Sequence, residues 1–185
     1  KRTVTKLFNA SKFAHMHLED YDEDFDPGRL TTIDRWLVSK LQSVIRLATV
    51  YLEQYEFARA RAEIEKFFWS VFCDNYLEIV KDRLYKPETY GDDARLAGQT
   101  ALSAVMLALI KLFAPYFPYL TEEIYSWKFA QEKGALPSIH NSAWPLALDS
   151  LVDKDAEAAG DLATIVIAHG RRLKNAAGVS QKHEI

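Results

Sequence analysis

Apolar residues return every three or four positions along nearly the whole chain, the spacing of helices that bury one face. The densest stretch is 58–85, ARARAEIEKFFWSVFCDNYLEIVKDRLY, which has neither Gly nor Pro and holds roughly seven helical turns. Glu63, Lys66, Ser70, Asp74, Glu78 and Asp82 fall three or four apart and draw one polar stripe along it. Ile64, Phe67, Phe68, Trp69, Val71, Phe72, Leu77, Ile79, Val80 and Leu84 occupy most of the rest. A water-facing stripe that narrow predicts a helix with neighbours on most sides. The fold expected is an all-α helical bundle with this helix at its centre.

The flanking segments fit the same architecture. Over residues 1–18, Val4, Leu7, Phe8, Ser11, Ala14, His15 and Leu18 form a packing face. Arg2, Lys6, Asn9 and Phe13 follow at steps of four, three and four on the side expected to face away from the core. Residues 19–26, EDYDEDFD, carry six acids in eight positions before Pro27-Gly28 and predict a loop. A helix starts near Thr31, with Asp34 three residues on as a capping-box partner. It repeats through Ile33, Leu37, Leu41, Val44, Ala48, Tyr51 and Tyr55, with Trp36 beside that face, and a break at 54–56 turns the chain into the central helix. After Lys86-Pro87, Asp92 or Asp93 is expected to cap a helix that runs to about Phe113. Pro115 and Pro118 interrupt it, Thr121-Glu122-Glu123 restarts a short helix, and Gly134 ends that one. Residues 136–145 are not helical and offer Trp144 as an anchor. Residues 155–173 return to a helix ending in Arg171, Arg172 and Lys174, with Lys182 beyond. The expected division is a bundle over 1–146 and a C-terminal helical extension over 147–185, leading toward a further module.

Composition narrows the functional classes. The net charge of −3 means that any nucleic-acid surface is a local patch and not the whole molecule. A lone cysteine, Cys73, excludes a disulfide framework and reads as a small buried hydrophobe, as in a reducing compartment. No signal peptide is evident, and the apolar run 101–114 is short and carries Lys111, so no membrane partner is expected. His15 and His17 are two apart and on different sides of a helix, which argues against a metal site; the acidic loop lacks the mid-loop Gly and terminal Glu of a calcium loop. No Gly-rich phosphate loop or Ser-His-Asp set emerges, so no catalytic residue is assigned. The start at Lys1 without a Met reads as a piece of a longer protein. The outward row on the first helix has the chemistry of nucleic-acid contact: cations for phosphate, an amide for a base edge and a ring for stacking. The structural alternative is that Phe13 meets another helix and the cations are solvated.

Five segments in order, KLFNASKF (6–13), IDRWLVSKL (33–41), FFWSVFCDNYLEIVKDRLY (67–85), LFAPYFPYLTEEIYSW (112–127) and SIHNSAWP (138–145), resemble the anticodon-binding domain of class I aminoacyl-tRNA synthetases of the Val/Ile/Leu/Met group. The Trp-containing start of the third segment and the SIHNSAWP ending favour the valine enzymes, while KDRLY fits an isoleucine enzyme equally well. The HIGH-like and KMSKS-like signatures of the catalytic domain are absent from the chain. The resemblance therefore implies a tRNA-binding module with no cofactor of its own, in a monomeric cytoplasmic ligase whose catalytic domain uses ATP and Mg. The partners it implies are the anticodon stem-loop of tRNA(Val) and the catalytic domain of the same polypeptide. Lys6 is expected on a phosphate or base edge and Phe13 on an anticodon base. Asn9 matches in type, and Lys12 stands where arginine is common, which removes bidentate capacity. Arg2, Lys81, Arg83, Arg171 and Arg172 complete the candidate RNA contacts. A protein–protein scaffold without RNA binding is the competing class.

Overall fold

The computed structural model describes residues 2–21, 24–132 and 134–180. Asp22 and Glu23 of the acidic loop, and Lys182 and His183 of the tail, lie outside the described residues. Every regular element among the described residues is helical. They are α1 (Arg2–Leu18), α2 (Thr32–Glu53), α3 (Phe57–Lys66), a π-helical segment (Phe67–Tyr76), α4 (Leu77–Tyr85), a single turn α5 (Pro87–Tyr90), α6 (Asp92–Phe113), α7 (Pro118–Trp127) and α8 (Lys154–Ala176), with short 3-10 turns between some of them.

α3, the π segment and α4 run on without a break as one rod, where the sequence predicts a single α-helix. Its buried row is Ala60, Ile64, Phe68, Phe72, Tyr76, Val80 and Leu84, at steps of four throughout. In an α-helix of about 3.6 residues per turn, each step of four drifts by about 40°, so six steps would carry the row most of the way round the axis. The π segment winds more residues into each turn and keeps the row facing one way. Phe68, Phe72 and Tyr76 are consequently all fully buried, with Phe68 edge-on to Phe113 of α6 at 5.5 Å between ring centroids. The predicted polar stripe survives on the outer side, where Lys66, Ser70, Asp74, Glu78 and Asp82 are exposed and Glu63 is half-buried.

Three boundaries differ from expectation. The N-cap of α6 is Gly91, at φ 86°, with Asp92 and Asp93 already inside the first turn. The left-handed backbone that turns the chain out of α5 selects glycine there. α7 starts at Pro118 and not at Thr121, whose hydroxyl instead donates to the Phe117 carbonyl at 3.1 Å. Proline is well suited to a first helical position because the missing N–H has no intrahelical acceptor. That helix also ends early, at Trp127, before a 3-10 turn over Phe129–Gln131, and Gly134 lies beyond it at φ 80°. By length and composition α6 could cross a membrane, but 67% of its most apolar window is buried inside the bundle.

At the head of α2, Thr31 and Asp34 form the expected capping box, with the Thr31 N–H donating to Asp34 at 3.0 Å. Asp34 does more than cap. It is 0% exposed and accepts from Arg83 Nη2 at 2.6 Å, Arg83 Nη1 at 3.0 Å and the Tyr76 hydroxyl at 2.8 Å. Burial pushes its pKa up, but the Arg83 hydrogen bonds and charge outweigh this and hold it below the usual carboxylate value.

The C-terminal segment docks on α2 through α8. Gly160 lies against Trp36 so closely that a Cβ would sit 2.2 Å from Trp36 Cγ. Around that contact, Trp36 Nε1 donates to Asp161 at 2.9 Å, Ser39 to Glu157 at 2.6 Å and Arg35 to Asp153 at 3.0 Å. Trp144 also anchors on α2, its Nε1 donating to Thr49 Oγ1 at 2.9 Å.

Candidate nucleic-acid interface

α1 is amphipathic. Leu7, Ala10, Ser11, Ala14 and Leu18 are buried, with Ser11 Oγ donating to the Leu7 carbonyl at 2.8 Å. Part of the opposite side runs alongside the rod, while Arg2 and Asn9 remain exposed. Arg2 lies over the Trp69 ring at 4.9 Å and Lys6 over the same ring at 5.8 Å, so one aromatic face of the π segment steadies two cations.

Past Trp69 a cleft of about 790 Å³ opens between α1, the rod and α8. Lys6 contributes from α1; Cys73, Asp74 and Glu78 from the rod; Ile167, Gly170, Arg171 and Lys174 from α8. The last four are spaced i, i+3, i+4, i+7, one stripe of a helix. Arg171 reaches across, its Nη1 donating to the Asp74 carbonyl at 3.2 Å. Cations from the first and last helices, more than 160 residues apart in sequence, therefore share one opening. Cys73 lies in its wall but is nearly inaccessible, and burial pushes its thiol up to about 12, so it is inert there.

Further along α1, Phe13 is half-buried, not exposed as its place on the polar stripe predicts. Its ring lies 4.6 Å from His17 and 6.2 Å from Tyr85 at the end of α4. The neighbour comes from another element, which spacing within α1 does not reveal. Tyr85 itself is 54% exposed. His17 is 5% exposed, and burial, helped by the charge of Arg95 and opposed by Asp20, lowers its pKa.

The remaining candidates separate. Asn9 is exposed on α1 between the cleft and Phe13. Lys12 sits over the Phe8 ring at 5.0 Å, and Phe8 in turn meets Trp127 of α7, so Lys12 belongs to a different side. Lys81 pairs with the cleft residue Glu78. Arg172 is exposed but about 100° round the helix from Arg171, away from the cleft stripe. Arg83 is turned inward onto Asp34, only 11% of its side chain exposed, and presents no guanidinium for a phosphate. Lys174 and Trp69 join the surface from outside the candidate set, while His17 is buried against Phe13 and Tyr85. The signal for Tyr85 was available: an aromatic residue one turn after Lys81 at the end of a helix. Among the described residues no three His, Cys, Asp or Glu side chains gather as a metal site.

A family model for the anticodon-binding domain of tRNA ligase matches residues 34–185. The chain belongs to this family. The anticodon-binding match runs across the boundary expected at 146/147 and takes in α8. Among curated relatives, a valine–tRNA ligase of Wolbachia pipientis wMel is 40% identical over 100% of this chain and 20% of its own length. Another, from Thermococcus kodakarensis, is 36% identical over 97% of this chain and 20% of its own length. Both alignments take in α1 or most of it, and the chain spans about a fifth of the length of these relatives. The crystal structure of the ternary complex of Agrobacterium radiobacter K84 agnB2 LeuRS-tRNA-LeuAMS superposes with a TM-score of 0.54 at 19% identity, over 82% of this chain and 16% of that one, a likeness of fold.

Proposed function

We propose that this chain is the anticodon-binding domain of a valine–tRNA ligase and holds the anticodon stem-loop of tRNA(Val) across the α1–α8 cleft and the Phe13 end of α1. The observation that carries this reading is the meeting of Lys6 with Arg171 and Lys174 at one opening. Cations spaced across a cleft neutralise backbone phosphates, and a half-buried ring further along α1, Phe13, stacks an unpaired base. The names of the full-coverage relatives favour valine over isoleucine as the amino acid. In this reading the attachment of valine, with ATP and Mg, is the work of a catalytic domain of the same polypeptide, and the enzyme acts as a monomer in the cytoplasm. The present domain supplies position and selectivity and performs no chemistry.

The test is equilibrium binding of tRNA(Val) and tRNA(Ile) to the protein at one fixed salt concentration. The valine tRNA should bind at least about tenfold more tightly, the scale of a single base contact worth ~1.4 kcal/mol. Equal binding, or preference for tRNA(Ile), would overturn the valine assignment. No measurable binding of either would favour a protein–protein scaffold.

A further inference from the structure

His17 has no role in holding the bundle that its ring chemistry explains. Its imidazole is 5% exposed, yet Nε2 is buried without a hydrogen-bond partner. A buried polar atom left unpaired is destabilising, and an apolar ring of similar size would fill the place better. The backbone of the residue is well fixed, its carbonyl accepting from Gln99 Nε2 of α6 at 2.8 Å. The ring is enclosed by two others, Phe13 at 4.6 Å and Tyr85 at 4.4 Å, the latter at an interplanar angle of 84°.

The cover over this imidazole is lightly held. Tyr85 is the last residue of α4, 54% exposed, and its hydroxyl makes no hydrogen bond to any described residue. Lys86 follows at φ −128°, ψ 60°, outside helical geometry, and then Pro87. A rotamer change of Tyr85 would uncover His17 and one side of Phe13 without disturbing the buried row of the rod.

We propose that His17 is a base-reading residue: with Tyr85 turned aside, an unpaired anticodon-loop base stacks on Phe13 while His17 Nε2 hydrogen-bonds its edge. This rests on the reading of the domain as a tRNA binder. The ligand is a nucleobase and not a phosphate, because a slot walled by aromatic rings fits a flat π-faced ring and excludes a hydrated anion. A neutral imidazole suits the task, since Nε2 either accepts or donates according to tautomer. Tyr85 acts as a lid whose opening precedes binding.

The experiment uses the full-length protein, tRNA(Val) and a set of tRNA(Val) molecules each altered at one anticodon-loop base. His17→Phe keeps an aromatic ring, somewhat larger than the imidazole, and removes the orphan nitrogen; the lightly held Tyr85 can give way to the extra volume, so the melting temperature should stay close to that of the unaltered protein. Its affinity for tRNA(Val) should fall about tenfold, and the penalty for altering one particular loop base should disappear. His17→Gln restores a polar tip and should recover most of that affinity. Tyr85→Ala, which leaves the core untouched, should bind about as tightly or up to roughly threefold more tightly, because the competent state no longer has to be opened. Lys6→Ala serves as the control on the underlying reading. If it weakens binding while His17→Phe changes neither affinity nor base discrimination, the base-reading role is wrong and the domain reading stands. If both variants bind like the unaltered protein, the domain reading falls as well. Equal losses in His17→Phe and His17→Gln would assign His17 to packing. A loss in Tyr85→Ala as large as that in His17→Phe would make Tyr85 part of the binding surface and remove the lid.

Discussion

Arg83 and Lys6 look alike in the sequence: each is a cation on a helix with a polar stripe. The structure puts them to opposite uses. Lys6 lines the cleft, whereas Arg83 completes a buried cluster with Asp34, Tyr76 and Thr31. What separates them is a partner 49 residues away in the chain, which no local spacing reveals. Removing one member of a buried pair leaves the other charged and unsolvated. Arg83→Ala should therefore destabilise the fold by about 3–5 kcal/mol in a urea titration. A loss below about 1 kcal/mol would return Arg83 to the surface. Phe13 makes the same point from the other side. Its place on the polar stripe was legible, and so was the alternative that it meets another helix, but Tyr85 as the partner was not, because that contact joins two elements.

The elements themselves were largely legible. α1, α2, α6 and α8 follow from apolar periodicity and turn residues, which are local properties. The capping box at Thr31–Asp34 was readable to the residue. The rod over 57–85 was readable as a helix but not as one with a π segment, although its strict period of four was present in the sequence. α8 was readable as an extension and not as a helix packed on α2, since the decisive residue is Gly160, whose absent side chain leaves no mark in a hydrophobic pattern. Its place against Trp36 carries a direct test. Gly160→Ala puts a methyl group where Trp36 already stands, so Trp36 or the whole helix must shift. The expected destabilisation is about 1–3 kcal/mol, the range for overpacking a close contact. Because α8 carries Arg171 and Lys174, tRNA binding should weaken with it, although neither cation has been altered. Unchanged stability in a thermal melt would mean that α8 is not held at this seam.

On the scale of the molecule, a chain of net charge −3 concentrates cations from its first and last helices at one cleft. Asp74 and Glu78 share the cleft with these three cations. Glu78 in the cleft pairs with Lys81, and Asp20 of the acidic loop is taken up by Arg95 and Gln99, whose hydrogen bonds lower its pKa. The central claim is that α1 and α8 form a single RNA-binding surface. Its most direct measurement is the slope of log affinity for tRNA(Val) against log salt, for the unaltered protein and for Lys6→Ala, Arg171→Ala, Lys174→Ala and the triple variant. Each phosphate contact removed lowers the slope by about one unit, so the triple variant should lose two to three units, roughly the sum of the single changes. A triple variant with the slope of the unaltered protein would contradict a shared surface and place the RNA elsewhere on the bundle.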